Sequence, residues 1–306
     1  MKNPLLALLG FILLSTPLAA TAQQYGDFTY TSDGSVIAIT GYTGPGGAVT
    51  IPASISGRPV VAIWYDAFYD TSLTSVTIPS SIVFIGDGAF EQCLSLTNVT
   101  IPGSVTNIGN GGFAGCGNLT GVIIPGSVTD IGDAAFYECW SLANVTIPSS
   151  VTSIRTGAFT FCPRLTSVTI PASVTSIGDG AFSDCISVKG IFFKGDAPSS
   201  ASDVFFGDNN ATVYYLPGTT GWGPTFGGAP TSLWNPLMQS SGVGLAGFGF
   251  NITGTADIPI VIEAATNLAN SMWVPLQSLD LTNGAFYFSD PNWTNHPAHF
   301  YRIRSP

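Results

Sequence analysis

The sequence predicts a mostly β protein: a solenoid of short strands joined by short helical turns, followed by a small C-terminal β-sandwich. Three observations carry that prediction. One 23-residue sentence is written five times without a slip of phase, beginning at Leu73, Leu96, Leu119, Leu142 and Leu165, and self-similarity at such a period marks stacked repeats. Each copy sets a β-branched run against a proline, as in Val76-Thr77-Ile78-Pro79. That is a short strand stopped by the residue that cannot donate to the ladder. From Leu237 onward the phase is gone, and alternating apolar runs recur at hairpin spacing.

Met1 to Ala22 carry one lysine, an apolar run from Leu5 to Leu14, a helix-breaking Pro17 and the small-residue site Ala20-Thr21-Ala22. This reads as a secretory leader cleaved before Gln23. Its apolar core is short for a bilayer, and no later stretch is a transmembrane candidate. Residues 23–72 form the predicted N-terminal cap and first degenerate repeat. Tyr25 to Tyr30 and Ser35 to Ile39 alternate like strands, Gly44-Pro45-Gly46-Gly47 is a turn, and Val49-Thr50-Ile51-Pro52 echoes the repeat. An insertion around Gly57-Arg58-Pro59 follows, and Thr71 stands where later copies place cysteine. A degenerate coil of this kind closes the open end of a solenoid.

Residues 73–187 are the five regular repeats. Leu73, Val76, Ile78 and their counterparts point inward from the strand, and a second extended piece turns Val105 and Ile108 inward with Thr106 and Asn107 outward. The next position reads Asp87, Asn110, Asp133, Thr156 and Asp179. All five are helix N-cap types, so a single helical turn is predicted there, with Phe90 and Cys93 three apart on its buried face. One coil alone buries too little to offset the ordering of its backbone. Stability is therefore expected from stacking on neighbours.

Residues 188–236 keep a decaying phase and are predicted as the C-terminal cap. Lys194 replaces the proline, Asp203-Val204-Phe205-Phe206 resembles the capped turn, and Trp222, Phe226 and Trp234 cover the last coil. Residues 237–306 are predicted as a separate module of five strands: Phe248 to Ile252, Ile258 to Glu263, Trp273 to Leu279, Ala285 to Phe288 and His299 to Ile303. Thr282-Asn283-Gly284 supplies a turn signal.

Composition narrows the partners. The chain has 8 Lys and Arg against 18 Asp and Glu, a net charge of −10, which argues against nucleic acid and anionic lipid. Charged residues are only 8%, so solubility rests on Ser, Thr, Asn and Gly. Cys93, Cys116, Cys139, Cys162 and Cys185 recur at the repeat spacing. Side chains stacked in register have parallel Cβ vectors, poor disulfide geometry, so five buried free thiols are expected. The Asp87, Asn110, Asp133, Asp179 row could be imagined as a calcium ladder, but Thr156 interrupts it and capping accounts for every member. No metal or cofactor is predicted. The only histidines, His296 and His299, lie in the tail, and no base stands beside a nucleophile, so no catalytic residue is assigned.

The stretch Leu165 to Cys185, Leu-Thr-Ser-Val-Thr-Ile-Pro followed by Ser-Ile-Gly-Asp-Gly-Ala-Phe-x-x-Cys, resembles the leucine-rich repeats of BspA-like bacterial surface proteins. The resemblance covers Ile51 to about Leu216. It implies a right-handed, gently curved solenoid acting in adhesion or protein–protein contact, without catalysis. The tail, with Thr266-Asn267-Leu268, Trp273, Asp290 and Phe300-Tyr301-Arg302, resembles a C-terminal module appended to secreted proteins of environmental bacteria.

The outward residues of the main strand, Ser75 and Thr77, Asn98 and Thr100, Gly121 and Ile123, Asn144 and Thr146, Ser167 and Thr169, include no aromatic or arginine anchor. The threonine row invites an ice-binding reading, against which Ile123 and the implied curvature weigh. The predicted partner surface is instead an aromatic strip near the capping turn, on the convex or lateral side. It comprises Trp64, Tyr65 and Tyr69 in the first coil, Tyr137 and Trp140 in the third regular one, and Phe161 with Arg164 in the fourth. Alternatively, some of these lean over neighbouring coils. The expected function is that of a secreted or cell-surface scaffold for an extracellular protein or glycan. The rival is a structural envelope or matrix component anchored through the C-terminal module; a glycan-active enzyme ranks lower.

Overall fold

The computed structural model describes residues 22–244, 247–268, 272–295 and 300–304; apart from Ala22, the predicted leader lies outside them, as do both histidines. The repeats stack as parallel coils in which each residue pairs with its counterpart one coil on. Gly47–Thr50, Leu73–Thr77 and Asn98–Thr100 align Val49, Val76 and Val99, and Gly121–Ile123 pairs with Asn144–Thr146. Ser167–Ile170 begins a run continued by Gly190–Phe193, Thr212–Tyr215 and Ala229–Leu233. A second row joins Arg58–Ile63 to Phe84–Ile85, Asn107–Ile108, Asp130–Ile131, Ser153–Ile154, Ser176–Ile177 and Ser199–Ser200. At the N-terminal end the antiparallel strands Gln23–Tyr25, Phe28–Ser32 and Ile37–Tyr42 extend this row by parallel pairing with Arg58–Ile63.

The inward slots are filled as the pattern dictates: Leu73, Val76, Ile78, Ile82, Ile85, Ala89, Phe90 and Cys93 are all buried. Phe68, Phe90, Phe113, Phe136, Phe159, Phe182 and Phe205 form one continuous column of stacked rings, with successive centroids 5.0–5.8 Å apart. The coils approach closely beside the capping row, where four of the five regular repeats carry glycine (Gly86, Gly109, Gly132 and Gly178) and the fourth carries Arg155. A Cβ on Gly178 would collide with the backbone of Arg155 and Thr156.

The predicted helical turns are hydrogen-bonded turns instead, and the reason lies in where the amides go. The N–H of Phe90 donates to the carbonyl of Gly112, that of Phe113 to Ala135 and that of Phe136 to Ala158, each in the next coil, at 2.8–2.9 Å. An amide committed between coils is not available for an i→i−4 helical bond. The capping row likewise works across coils: Asp87 Oδ1 accepts the N–H of Asn110 at 2.8 Å, Asn110 Oδ1 that of Asp133 at 2.8 Å, and Asp133 Oδ1 that of Thr156 at 3.0 Å.

All five cysteines are free and buried. Each thiol donates to a phenylalanine carbonyl of the preceding coil, Cys93 to Phe68, Cys116 to Phe90, Cys139 to Phe113, Cys162 to Phe136 and Cys185 to Phe159, at 3.1–3.3 Å. The next place in this column is taken by Asp208, which is only 6% exposed. Burial pushes its carboxyl up to about 7; the Asp184 charge adds to this, and the backbone amide of Cys185 works against it.

The tail contains two three-stranded antiparallel sheets, Leu237–Gly244, Gly247–Thr253 and Ala285–Asp290 in one, and Val274–Asp280, Pro259–Ala265 and Phe300–Arg304 in the other. Five of these strands match the predicted ones within a few residues. The sixth, Leu237–Gly244, is exposed throughout, and its Gln-Ser-Ser-Gly centre carries no apolar alternation to betray it. The sheets share one apolar layer, Phe250, Ile252 and Phe288 from the first and Ile260 and Ile262 from the second. Phe192 and Tyr214 of the last coils belong to that same cluster. They occupy the outward slot held by Thr169 in the preceding coil, so the tail is seated where the polar row of the solenoid turns aromatic. Trp234 Nε1 donates to the Pro259 carbonyl at 2.9 Å across this seam.

Candidate partner surface

The lateral edge of each coil is shaped by one residue between the buried phenylalanine and cysteine. Asp70, Gln92, Glu138, Phe161 and Asp184 occupy this place with φ of 52–59°. That left-handed step turns the chain sharply, so the residue itself sits at the lateral edge before the thiol swings in. Three columns of side chains thereby line one side of the stack: the residues two before, one before and one after each cysteine.

Of the seven predicted residues, Trp140 is 50% and Phe161 40% exposed. Phe161 meets Tyr137 edge to face at 5.7 Å, and Arg164 is exposed in the same coil as Phe161. Trp140 lies over Gly117 of the preceding coil, where a Cβ would come within 2.9 Å of its ring. Glycine there gives the indole a flat seat and leaves half of it to solvent. Half-buried Tyr137 has its phenol pKa raised by desolvation and by Glu138, so it stays a neutral hydrogen-bonding group at physiological pH.

The first-coil aromatics form a second group. Tyr65 and Tyr69 are exposed, whereas Trp64 is half-buried, at 4.9 Å from the Tyr65 ring and 5.9 Å from Phe84 of the next coil. Trp64 therefore leans over its neighbour. Between the two groups the columns hold Glu91, Gln92, Leu94, Ala114, Gly115 and Gly117, so large rings do not run unbroken from one to the other.

The same columns present Leu94, Ile186 and Phe206, all exposed, Phe206 at 66%. Sequence reading had passed over them. Leu94 and Ile186 follow Cys93 and Cys185 directly, as Trp140 follows Cys139, and Phe206 falls in the column of Tyr137. The signal was the repeat phase itself, read column by column rather than aromatic by aromatic.

Elsewhere the strand face offers polar side chains and the exposed Ile123. Among the described residues no group of three His, Cys, Asp or Glu is placed to hold a metal, and no helix is long and apolar enough to cross a membrane.

Residues 61–189 match the family described as BspA type leucine rich repeat region, in six copies. No curated protein matches the chain. Among solved structures, it is similar to a leucine-rich repeat protein of T. pallidum at 28% identity, covering 64% of this chain and 86% of that one with a TM-score of 0.46. It is also similar to one from Bacteroides ovatus at 24% identity, covering 63% and 70%, TM-score 0.41. A leucine rich cell surface protein from Faecalibacterium prausnitzii matches at 24% identity, covering 65% and 89%, TM-score 0.39.

Proposed function

We propose that this chain, whose residues 61–189 are a BspA-type leucine-rich repeat region, is a non-catalytic recognition scaffold that works outside the cytoplasm and holds a protein or glycan partner on its lateral face. The observation that carries the reading is the exposure of Trp140, Phe161, Ile186 and Phe206 in consecutive coils. None of these side chains serves the core, and aromatic anchors of this kind dominate binding energy at interfaces. A rigid stack fixes their spacing, which lowers the ordering cost of binding.

The test is an array of extracellular-matrix proteins and surface glycans probed with the whole chain and with a Trp140→Ser, Phe161→Ser double variant. Retention of a partner should fall at least about tenfold in the variant, matching the loss of one or two anchors, with the melting point unchanged. Equal retention by both proteins removes this face from consideration.

A second reading, of a structural or envelope component anchored by its tail, is favoured by one observation. Leu237, Val243, Val274 and Leu276 on the two outer tail strands are exposed, and unpaired edges invite pairing with another chain. Under it, self-association would be abolished by Val243→Lys and Val274→Lys, while partner retention on the array would be absent from the start.

A further inference from the structure

The repeat states what the last coils ought to carry, and two departures from it meet at one place. Thr169 is followed 23 residues on by Phe192, and Pro171 by Lys194. Phe192 pairs with Tyr214 of the next strand and stacks on it at 5.0 Å. These residues, with Trp234 of the cap and Ile303 and Arg304 of the tail, line a cavity of about 430 Å³ between the solenoid and the tail module. That volume is in the range of small-ligand sites, which favour module boundaries and apolar walls with few polar groups.

The walls are fixed rather than loose. Trp234 is pinned by its bond to the Pro259 carbonyl, the Phe192 and Tyr214 pair is part of the seam cluster, and Arg304 is anchored through Nε to Glu263 at 2.6 Å. The charge is equally distinctive. A chain of net charge −10 with only 8 basic residues places two of them on this one apolar cavity. Lys194 is exposed, and no carboxylate among the described residues lies within ion-pair reach of it. Structural stability does not call for a lysine there, since the other coils end this strand with proline.

We propose that this cavity is a binding site for a carboxylate carried on an apolar body, the acid facing Lys194 and Arg304 and the body lying against Trp234 and Ile303. A free aryl or alkyl carboxylic acid and the apolar C-terminal residue of a peptide share this chemistry. The site is separate from the lateral face and does not depend on it.

The experiment is calorimetric titration of the full chain with hydrocinnamate and its neutral amide, and with a tetrapeptide ending in phenylalanine as the free acid and as the C-terminal amide. One acid at least is expected to bind at a single site, with its amide at least about tenfold weaker, the loss of one charge-assisted contact. Whichever acid binds identifies the source. Lys194→Met, on an exposed side chain, should keep the melting point and weaken the acid at least about fivefold while leaving the amide unchanged; Trp140→Ser should change neither. The proposal is overturned if the amides bind as well as the acids, if Lys194→Met leaves acid affinity intact, or if neither acid binds at millimolar concentration.

Discussion

Each thiol of the core ties its coil to a phenylalanine carbonyl of the coil before it. The phenylalanine carbonyl accepts a long backbone bond within its own turn, as from the Cys116 N–H to Phe113 at 3.3 Å, and the cysteine S–H of the next coil supplies a second donor to the same oxygen. Cys139 shows the consequence most clearly. It has no exposed surface, and burial pushes its thiol pKa well up, with Cys116 adding to the effect. Cys139→Ala should cost about 1–3 kcal/mol in urea denaturation, from the lost bond between coils and a small void. The native chain should resist a thiol reagent that titrates five groups after unfolding without reductant. Asp208 is the column's exception: when ionised it has no proton to offer the Phe182 carbonyl. Its folded pKa of about 7 lies above its ordinary 3.8. The neutral form thus favours the fold, a contribution fully present below pH 3.8 and lost as pH rises through 7. Asp208→Asn should therefore stabilise the chain at pH 8 by up to about 4 kcal/mol and by less than about 1 kcal/mol at pH 4. The unpaired state of the thiols was legible in their 23-residue spacing. The need that selects cysteine was not, because it depends on a hydrogen bond between coils.

Strands were the most legible elements, since the inward slots and the stopping prolines obey a strict period. The predicted helical turns fail for a physical reason: Asp, Asn and Thr signal a helix start only when the following amides bond along one helix, and here those of Gly88 and Phe90 donate to carbonyls of the next coil. Asp133→Ala removes an acceptor from the Thr156 amide and should cost about 1 kcal/mol, whereas an N-cap role would show as lost helical ellipticity, which is not expected. The lateral row was partly legible. Trp140 and Phe161 announced themselves by size, but Leu94, Ile186 and Phe206 required the columns to be followed.

For the molecule as a whole, the seam between solenoid and tail is the least foreseeable feature. The sequence marks the loss of phase near Val188 and after Leu237, but nothing local says that Phe192 and Tyr214 turn outward to meet Phe250 and Ile260. Removing residues 237–306 should uncover both aromatics and lower stability by roughly 3–6 kcal/mol, with increased dye binding to exposed apolar surface. Deleting one full coil, Leu119 to Ser141, keeps every column in phase and should leave a single, lower melting transition, whereas deleting half a coil should abolish folding. The side-chain ladder from Asp87 through Asn110 and Asp133 to Thr156 has a direction: the carboxylate or amide of each coil waits for the backbone of the one made after it. The coils from Asp87 to Thr156 can therefore add one at a time, each onto a neighbour whose side-chain acceptor is already in place.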